Sequence, residues 1–207
     1  MLPEAVRYTL IALSLIFVGV GGYYRVQSQR SGESLDRTKE GWPLLIGIRL
    51  VGLATFGSAL AWLSKPSWFG WASWPISDSL RWVGVLGFAC SVGWLLWMFH
   101  SLGRNLTDTV VTRREARLVD RGPYRFVRNP MYTGVLMLGI SLGVALGTWL
   151  LPLAAGAMFG LFALRTRIEE TYLLARFGNQ YSEYMRRVGR FFPRFSQKPP
   201  ASNTPIH

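Results

Sequence analysis

The sequence predicts an all-α integral membrane protein with about five transmembrane helices, the last two of which form a C-terminal helical hairpin. Half of the 207 residues are hydrophobic, only 16% are charged, and 9 are Trp, a balance that is too apolar for an ordinary soluble domain. The apolar residues occur in runs of about 20, the length that a helix needs to cross the hydrocarbon core. The basic residues collect between these runs, as the positive-inside rule describes.

Three apolar runs fill the first half of the chain. Ala5–Tyr24 has no basic leading segment and no small-residue cleavage site, so we interpret it as a retained span and not as a signal peptide. The second run is Pro43–Leu63, interrupted by Arg49, and the third is Leu80–Phe99. Between them, Pro66–Pro75 carries several Trp, whose rings favour the membrane interface.

The fourth apolar region, Met131–Leu164, is too long for one span. As a single helix it would measure about 50 Å at 1.5 Å per residue, against a hydrocarbon core of about 30 Å. Gly147 and Pro152 lie near its middle, so we predict two short helices that turn there. Gly139, Gly143 and Gly147 recur every fourth residue, and this spacing predicts close packing of the two helices.

The distribution of Lys and Arg orients the chain. The segments 25–40, 100–130 and 165–198 hold four, seven and eight of them, whereas 64–79 holds one. Since basic segments favour the cytoplasmic side, we expect a cytoplasmic carboxyl terminus and an amino terminus outside. The net charge of +12 therefore has a membrane explanation, and nucleic acid is not an expected partner.

Cysteine and histidine are too few for a metal centre. Cys90 is the only Cys, and the two His are His100 and His207. This excludes an intrachain disulfide and argues against a zinc enzyme, so no metal site is predicted. Any chemistry must come from the polar segments that flank the hairpin.

The first of these segments, LVDRGPYRFVRNPMYTG, is Leu118–Gly134. Gly122 and the Pro that follows it predict a turn. Pro130 suits the first turn of a helix, which places Asn129 at the amino-terminal cap. A cap alone would explain Asn129, but other polar residues crowd the same stretch. These are Arg125, Arg128 and Tyr132.

The second polar segment begins where the hairpin returns to the basic side. Arg165 and Glu169 are four residues apart and so share a helix face. An ordinary surface pair would account for them. However, two adjacent carboxylates, Glu169 and Glu170, at the mouth of a membrane helix usually mark function or pairing.

A short amphipathic helix, Asn179–Arg187, is predicted to follow Gly178, which should end the preceding helix. Its apolar side would carry Tyr181, Tyr184 and Met185. The basic residues at its end are interpreted as contacts to anionic lipid and not as site residues. They are Arg186, Arg187 and Arg190.

The motifs GPYRFVRNPMYTG and RIEETYLLARFGNQYSEYMRRVGRFFPRF together resemble the isoprenylcysteine carboxyl methyltransferase family, integral-membrane enzymes related to the phospholipid N-methyltransferases. Leu102–Val110 and the five-span arrangement fit the same family. The resemblance covers about residues 102–195, while the first two spans match in hydropathy only. It implies a single membrane methyltransferase domain over 1–207, with three spans in 1–100, a cofactor-binding and catalytic part in 101–195, and a flexible tail in 196–207.

The resemblance implies S-adenosylmethionine as methyl donor, held without a Rossmann fold. It also implies a catalytic Arg165 that contacts the acceptor, with Arg167 in its place if the helix register differs. The implied cofactor-binding residues are Leu118, Val119, Tyr124, Asn129, Pro130, Met131, Tyr132, Glu169 and Glu170. Asn129 departs from the family pattern, which has His there. Because Asn does not titrate near neutral pH, the departure speaks against a general base and leaves a role in positioning the cofactor.

The implied reaction is carboxyl O-methylation of an isoprenylated cysteine or a similar lipophilic acceptor, on the cytoplasmic side of a bacterial inner membrane. A carboxylate is already a nucleophile and needs no base, and aromatic faces such as those of Tyr124 and Tyr132 would stabilise the sulfonium of the donor. Two other acceptors stay open, a phospholipid amine and a small thiol. A non-enzymatic membrane protein is a further alternative, although a transporter should show internal repeats and this chain shows none.

Overall fold

The computed structural model describes residues 2–29, 42–102 and 118–194, all of them helices and their connections. The α-helices are α1 (Glu4–Gln29), α2 (Trp42–Ser64), α3 (Asp78–Leu102), α4 (Pro130–Leu146), α5 (Leu150–Phe177) and α6 (Asn179–Arg187). Two 3₁₀ helices, Pro66–Ala72 and Gly122–Arg125, lie in the connections. The predicted all-α class is confirmed over these residues. Most of the segment 102–110 and the whole of the predicted tail, 196–207, lie outside them.

Four helices, α1, α2, α3 and α5, are long and apolar enough to cross a membrane, and α4 is a shorter apolar helix. The chain is therefore an integral, multi-pass membrane protein, as predicted. The count of five spans stays a prediction, since α4 has only 17 residues. α5 continues to Phe177, well past the end of the apolar run. Glu169 and Glu170 therefore lie on the last turns of α5.

The predicted hairpin of α4 and α5 is confirmed, and its turn depends on Gly147. This residue ends α4 in the left-handed region, with φ 71°, where a residue with a Cβ would be strained. The next residue joins the turn to the rest of the protein, because Thr148 Oγ1 donates to the Ala72 carbonyl at 3.0 Å. Gly147 thus lies at the predicted turn of the hairpin. It does not share the α5 contact of Gly139 and Gly143, because a Cβ on it would meet Ile76 and Arg81.

Small residues set the distance between α4 and the helices on either side. A Cβ on Gly139 would lie 2.4 Å from Ala155 Cβ, and one on Gly143 would lie 2.2 Å from Pro152 Cδ. On the opposite side, a Cβ on Gly84 of α3 would lie 2.4 Å from a backbone nitrogen of α4. The close packing predicted for Gly139 and Gly143 is confirmed, and α4 is held tightly between α3 and α5.

Gly143→Ala is expected to destabilise the protein by about 1–3 kcal/mol, because the added methyl group overpacks the hairpin against Pro152. Gly156→Ala on α5 is the matched control, since a Cβ there meets nothing within 4 Å. Thermal unfolding in detergent should show a lower Tm for Gly143→Ala and an unchanged or higher Tm for Gly156→Ala. Equal Tm values for the two variants would contradict the close contact.

The remaining helices pack around the hairpin of α4 and α5. α1 packs against α3, and α2 packs against α5. The main apolar core lies at the end of the molecule that holds the hairpin turn, and it includes Leu10, Trp62 and Phe88. A second, smaller cluster lies at the start of α4. It contains Tyr132, Met158 and Phe162, with Ile48 and Val51 of α2 packed against it. This second cluster supports the polar end of the hairpin.

Candidate active site

The segment that leads into α4 is fixed by α3. Gly122 has φ 61°, and a Cβ on it would lie 2.0 Å from Ser101 Oγ, so this turn accepts only glycine. Pro130 occupies the first turn of α4, as predicted. Trp94 Nε1 of α3 donates to the Pro130 carbonyl at 2.9 Å. The two ends of the segment are therefore held against one helix.

Asn129 stands at the amino-terminal cap of α4, where the sequence placed it, but its side chain makes no capping hydrogen bond. Instead, Asn129 Nδ2 donates to the Arg190 carbonyl at 3.1 Å. The Asn129 backbone N–H donates to the same carbonyl, also at 3.1 Å. The residue thus connects the start of α4 to the chain that follows α6.

Glu169 is the meeting point of side chains from α4 and α5. Tyr132 Oη donates to Glu169 Oε1 at 2.7 Å, and Arg165 Nε lies 3.1 Å from the same oxygen. The ring of Tyr132 is 3% exposed and stacks on Phe162, with centroids 4.3 Å apart. The predicted pairing of Arg165 with Glu169 is confirmed. Arg165 is buried, whereas Arg167 is exposed.

Tyr124 lies within electrostatic reach of the same carboxylate. Burial raises the pKa of the Tyr124 phenol above its ordinary value, and the negative charge of Glu169 raises it further. The phenol is therefore neutral at physiological pH. Tyr184 Oη of α6 donates to the Tyr124 carbonyl at 2.6 Å, which ties the 3₁₀ helix to α6.

Glu170 belongs to a separate, buried cluster of charges. Arg128 Nη2 lies 2.8 Å from Glu170 Oε1, and these two side chains are 5% and 6% exposed. Arg190 binds the same carboxylate, with Nε 3.2 Å from Oε1 and Nη2 against Oε2. Neighbouring residues on a helix are turned by about 100°, so Glu169 and Glu170 serve different clusters. The role of Glu170 as a cofactor ligand stays a prediction, and both its oxygens already bind guanidinium groups.

The chain after α6 is hydrogen-bonded to the start of α4, and we call residues 188–192 the C-terminal strap. The Arg128 N–H donates to the Gly189 carbonyl at 2.8 Å, and Thr133 Oγ1 donates to the Phe191 carbonyl at 2.7 Å. A Cβ on Gly189 would lie 1.9 Å from the Phe192 carbonyl oxygen, so the strap requires glycine there. The strap is therefore a fixed part of the site.

The other predicted cofactor ligands lie in apolar contacts around these groups. Leu118 packs on the cluster of Tyr181 and Tyr184, and Val119 beside it is partly buried. Met131 packs next to the ring of Tyr132. The predicted helix Asn179–Arg187 is confirmed at both ends, with its two Tyr buried. The structure thus brings Tyr132, Arg165 and Glu169 together, with Tyr124 within electrostatic reach and Met131 in the apolar cluster of Tyr132.

Two residues of the charge cluster were not assigned from the sequence. The interpretation of Arg190 as a lipid contact is wrong, because its guanidinium pairs with Glu170. Arg128 was noted only as one of several polar residues. A signal was available, since a second carboxylate at membrane depth needs a cationic partner if it is buried. Nothing local identified which of the many arginines would supply it.

Comparison with known proteins finds similarity over the segment that carries this geometry. Residues 80–180 match the family described as phospholipid methyltransferase. Protein-S-isoprenylcysteine O-methyltransferase B of Arabidopsis thaliana is 38% identical over 89 residues, which are 42% of this chain and 45% of that protein. The cobalt-zinc-cadmium resistance protein CzcN of Cupriavidus metallidurans is 33% identical over 99 residues, 46% of this chain and 44% of that protein. The chain thus spans less than half the length of these curated relatives.

The eukaryotic intramembrane Ras methyltransferase ICMT (isoprenylcysteine carboxyl methyltransferase) has the same fold. The two structures align with a TM-score of 0.55 and 23% identity, over 70% of this chain and 51% of that one. The chain is therefore an integral membrane protein whose residues 80–180 are similar to the phospholipid methyltransferase family. Three of the curated relatives that match this chain are named as protein-S-isoprenylcysteine O-methyltransferases, and the chain is similar to them over less than half of its length.

Proposed function

We propose that this protein transfers a methyl group from S-adenosylmethionine to the carboxylate of an isoprenylated cysteine or a similar lipophilic acceptor. The observation that carries the proposal is the placement of Glu169 with Tyr132 and Arg165. These residues lie in the segment that matches the phospholipid methyltransferase family, and the relatives of this chain include proteins named for isoprenylcysteine O-methylation. We further propose one methyltransferase domain over 1–207, with its cofactor-binding and catalytic part in 101–195.

The chemistry of the donor fits the groups around Glu169. S-adenosylmethionine carries an ammonium group and a sulfonium cation. Glu169 provides an anion for the ammonium group, and Tyr124 and Tyr132 provide aromatic faces for the sulfonium. The Tyr132 side chain is held by its hydrogen bond to Glu169, and the Tyr124 backbone is held by the hydrogen bond from Tyr184 to its carbonyl. Leu118, Val119, Pro130 and Met131 would form the apolar surroundings of the adenosine.

Asn129 and Glu170 would contribute to the donor site in a different way, because both side chains already have protein partners. The Nδ2 group of Asn129 is engaged by the Arg190 carbonyl, so a contact with the donor would use its Oδ1 as an acceptor. Glu170 would act on the donor through its arginine partners and not as a direct ligand, because Arg128 and Arg190 engage its carboxylate.

Arg165 would hold the acceptor. A guanidinium binds a carboxylate through two parallel N–H donors, and Arg165 lies one helical turn before Glu169 on the same face of α5. Its contact with Glu169 sets its orientation relative to the donor site. When bound, the donor supplies an electrophilic methyl group, and the residues have to place the carboxylate in line with it and keep water out. Neither task needs a general base, which agrees with Asn at position 129.

The location of the site suits an acceptor that resides in the membrane. Arg165 and Glu169 follow directly on the apolar part of α5, at the end of the hairpin flanked by basic segments. By the positive-inside rule, this end is cytoplasmic. We propose that the acceptor reaches it from the cytoplasmic leaflet of a bacterial inner membrane, with its apolar tail still in lipid.

A labelled-methyl assay tests this proposal. Purified protein in lipid nanodiscs receives S-adenosylmethionine with a tritiated methyl group and one of three acceptors: a farnesylated cysteine analogue, phosphatidylethanolamine or a small thiol. We expect base-labile label on the farnesylated cysteine, and none on the same cysteine without the farnesyl group. Label on phosphatidylethanolamine instead would favour N-methylation, which the name of the matched family suggests. No label on any acceptor, together with no donor binding by calorimetry, would overturn the enzymatic function.

A further inference from the structure

We propose that Arg190 is a positioning residue for the donor site: it sets the separation between the start of α4 and the acidic turn of α5. The inference rests on the proposed function. Arg190 is bonded to Asn129, three residues before Tyr132, and to Glu170, which directly follows Glu169. Nothing in the sequence motifs assigned it such a role.

Arg190 is bound at both of its ends. Its carbonyl accepts two hydrogen bonds from Asn129, one from the backbone N–H and one from Nδ2, each at 3.1 Å. Its guanidinium binds Glu170 on α5. Asn129 lies three residues before Tyr132, and Glu170 directly follows Glu169. One residue therefore connects the two pieces of backbone that carry the central pair of the site.

This connection matters because the covalent link between the two helices is far away. The hairpin turn at Gly147 lies fifteen residues from Tyr132, about 22 Å along α4. Of the close contacts between α4 and α5, the one at Gly143 lies near the turn and the one at Gly139 lies midway along α4. At the site end, α4 and α5 meet through the Tyr132 ring stack and its hydrogen bond to Glu169, and Arg128, just before α4, pairs with Glu170. A bridge through Arg190 fixes the separation that these contacts alone would leave adjustable.

The residues on either side of Arg190 in the strap are hydrogen-bonded to the start of α4. The residue before it accepts from the Arg128 N–H, and the residue after it accepts from Thr133 Oγ1 at 2.7 Å. Arg128 Nη1 also donates to the Val188 carbonyl. The Arg190 backbone therefore cannot shift without breaking hydrogen bonds to α4.

Positioning can be separated from stability at this residue. The Arg190 side chain is 41% exposed, whereas the Arg128 side chain is 5% exposed. Without the Arg190 guanidinium, Glu170 keeps its buried partner Arg128. The fold should therefore tolerate the loss, since partly exposed ion pairs contribute little to stability.

The experiment compares Arg190→Gln, Arg190→Lys and the control Arg187→Gln, an exposed arginine at the end of α6. We measure donor Kd by calorimetry, KM for donor and acceptor, kcat and Tm. Arg190→Gln should raise the donor Kd and lower kcat/KM for the donor about tenfold or more, with the acceptor KM and Tm unchanged. Arg190→Lys should restore part of this loss because its ammonium also pairs with Glu170. Arg187→Gln should match the wild type.

Two results would overturn the proposal. The first is a wild-type donor Kd and kcat/KM for Arg190→Gln. The second is a fall in Tm and active fraction with both KM values unchanged, the signature of a merely structural residue. If Arg190→Gln does not fold, Thr133→Val decides. It removes the hydrogen bond of Thr133 Oγ1 to the Phe191 carbonyl, together with a longer one at the start of α4 to the Asn129 carbonyl at 3.4 Å, and leaves the Arg190 side chain unchanged. It should raise the donor Kd in the same direction, and an unchanged Kd counts against the role.

Failure of the proposed function gives a different result. In that case the wild-type protein itself binds no donor and transfers no methyl group. Hydrogen exchange of the strap amides, measured without donor, tests the bridge independently. Arg190→Gln should increase exchange in residues 188–192 and leave α3 unchanged. Equal exchange in wild type and variant would show that Arg190 does not hold the strap.

Discussion

Glu169→Gln is expected to raise the donor Kd about 10- to 150-fold and to reduce methyl transfer accordingly. The substitution keeps the shape of the side chain and an oxygen acceptor for Tyr132 Oη, which now lies 2.7 Å away. It removes the negative charge that we propose to bind the ammonium group of the donor. A hydrogen bond to a charged group contributes about 1.5–3 kcal/mol, which corresponds to this range of Kd. Calorimetric titration with S-adenosylmethionine measures it directly.

Glu183→Gln is the matched control for this experiment. It makes the same chemical change at an exposed position on α6, so the donor Kd and the transfer rate should stay at wild-type values. If Glu169→Gln also bound the donor as the wild type does, Glu169 would not be the anionic partner of the cofactor. The Tm of both variants shows that the comparison is made between folded proteins.

Glu170→Gln is expected to destabilise the fold by about 3–5 kcal/mol, the usual cost of removing one partner from a buried ion pair. The variant leaves the Arg128 guanidinium, which is 5% exposed, without a counter-charge. Arg190 loses its partner as well, but it is partly exposed and can be solvated. Thermal unfolding in detergent should show the fall in Tm, and added salt should change it little because the pair is buried.

Two further variants distinguish the cost of an unpaired buried charge from the cost of a lost contact. Arg190→Gln should cost at most about 1 kcal/mol, since it removes the more exposed partner. The double variant Arg128→Gln/Glu170→Gln removes both buried charges and should recover part of the stability lost in Glu170→Gln. A wild-type Tm for Glu170→Gln would mean that the cluster of Arg128, Glu170 and Arg190 does not hold the carboxyl-terminal segment in place.

The fold was predictable where the signals are local. A run too long for one span, with Gly147 and Pro152 near its middle, can cross a membrane only by turning back, and the turn lies at that Gly. The helix Asn179–Arg187 follows from a Gly that ends one helix and from two Tyr on one face of the next. Such features depend on a few neighbouring residues, so the sequence alone contains them.

The site was predictable only in part. The pair Arg165 and Glu169 follows from a separation of four residues on one helix. Tyr132 and Tyr124 were assigned through the family resemblance, and their contacts with Glu169 could not be derived from spacing. The partners of Glu170 lie 42 and 20 positions away in the sequence. An arginine at the end of an amphipathic helix has the same local pattern whether it binds lipid or a buried carboxylate.

The length of α4 has a consequence for how the membrane and the site meet. At 17 residues the helix is about 25 Å long, some 5 Å less than the thickness of a typical hydrocarbon core. Its far end lies beside Trp149, whose ring packs edge-on against Trp71. Trp rings favour the membrane interface, so this end is expected to lie there. If α4 is the predicted span, its near end, which carries Tyr132, is expected to lie below the level of the headgroups or to thin the bilayer around it. An acceptor held by its lipid tail would need to rise only a short way, or not at all, to reach the reacting groups.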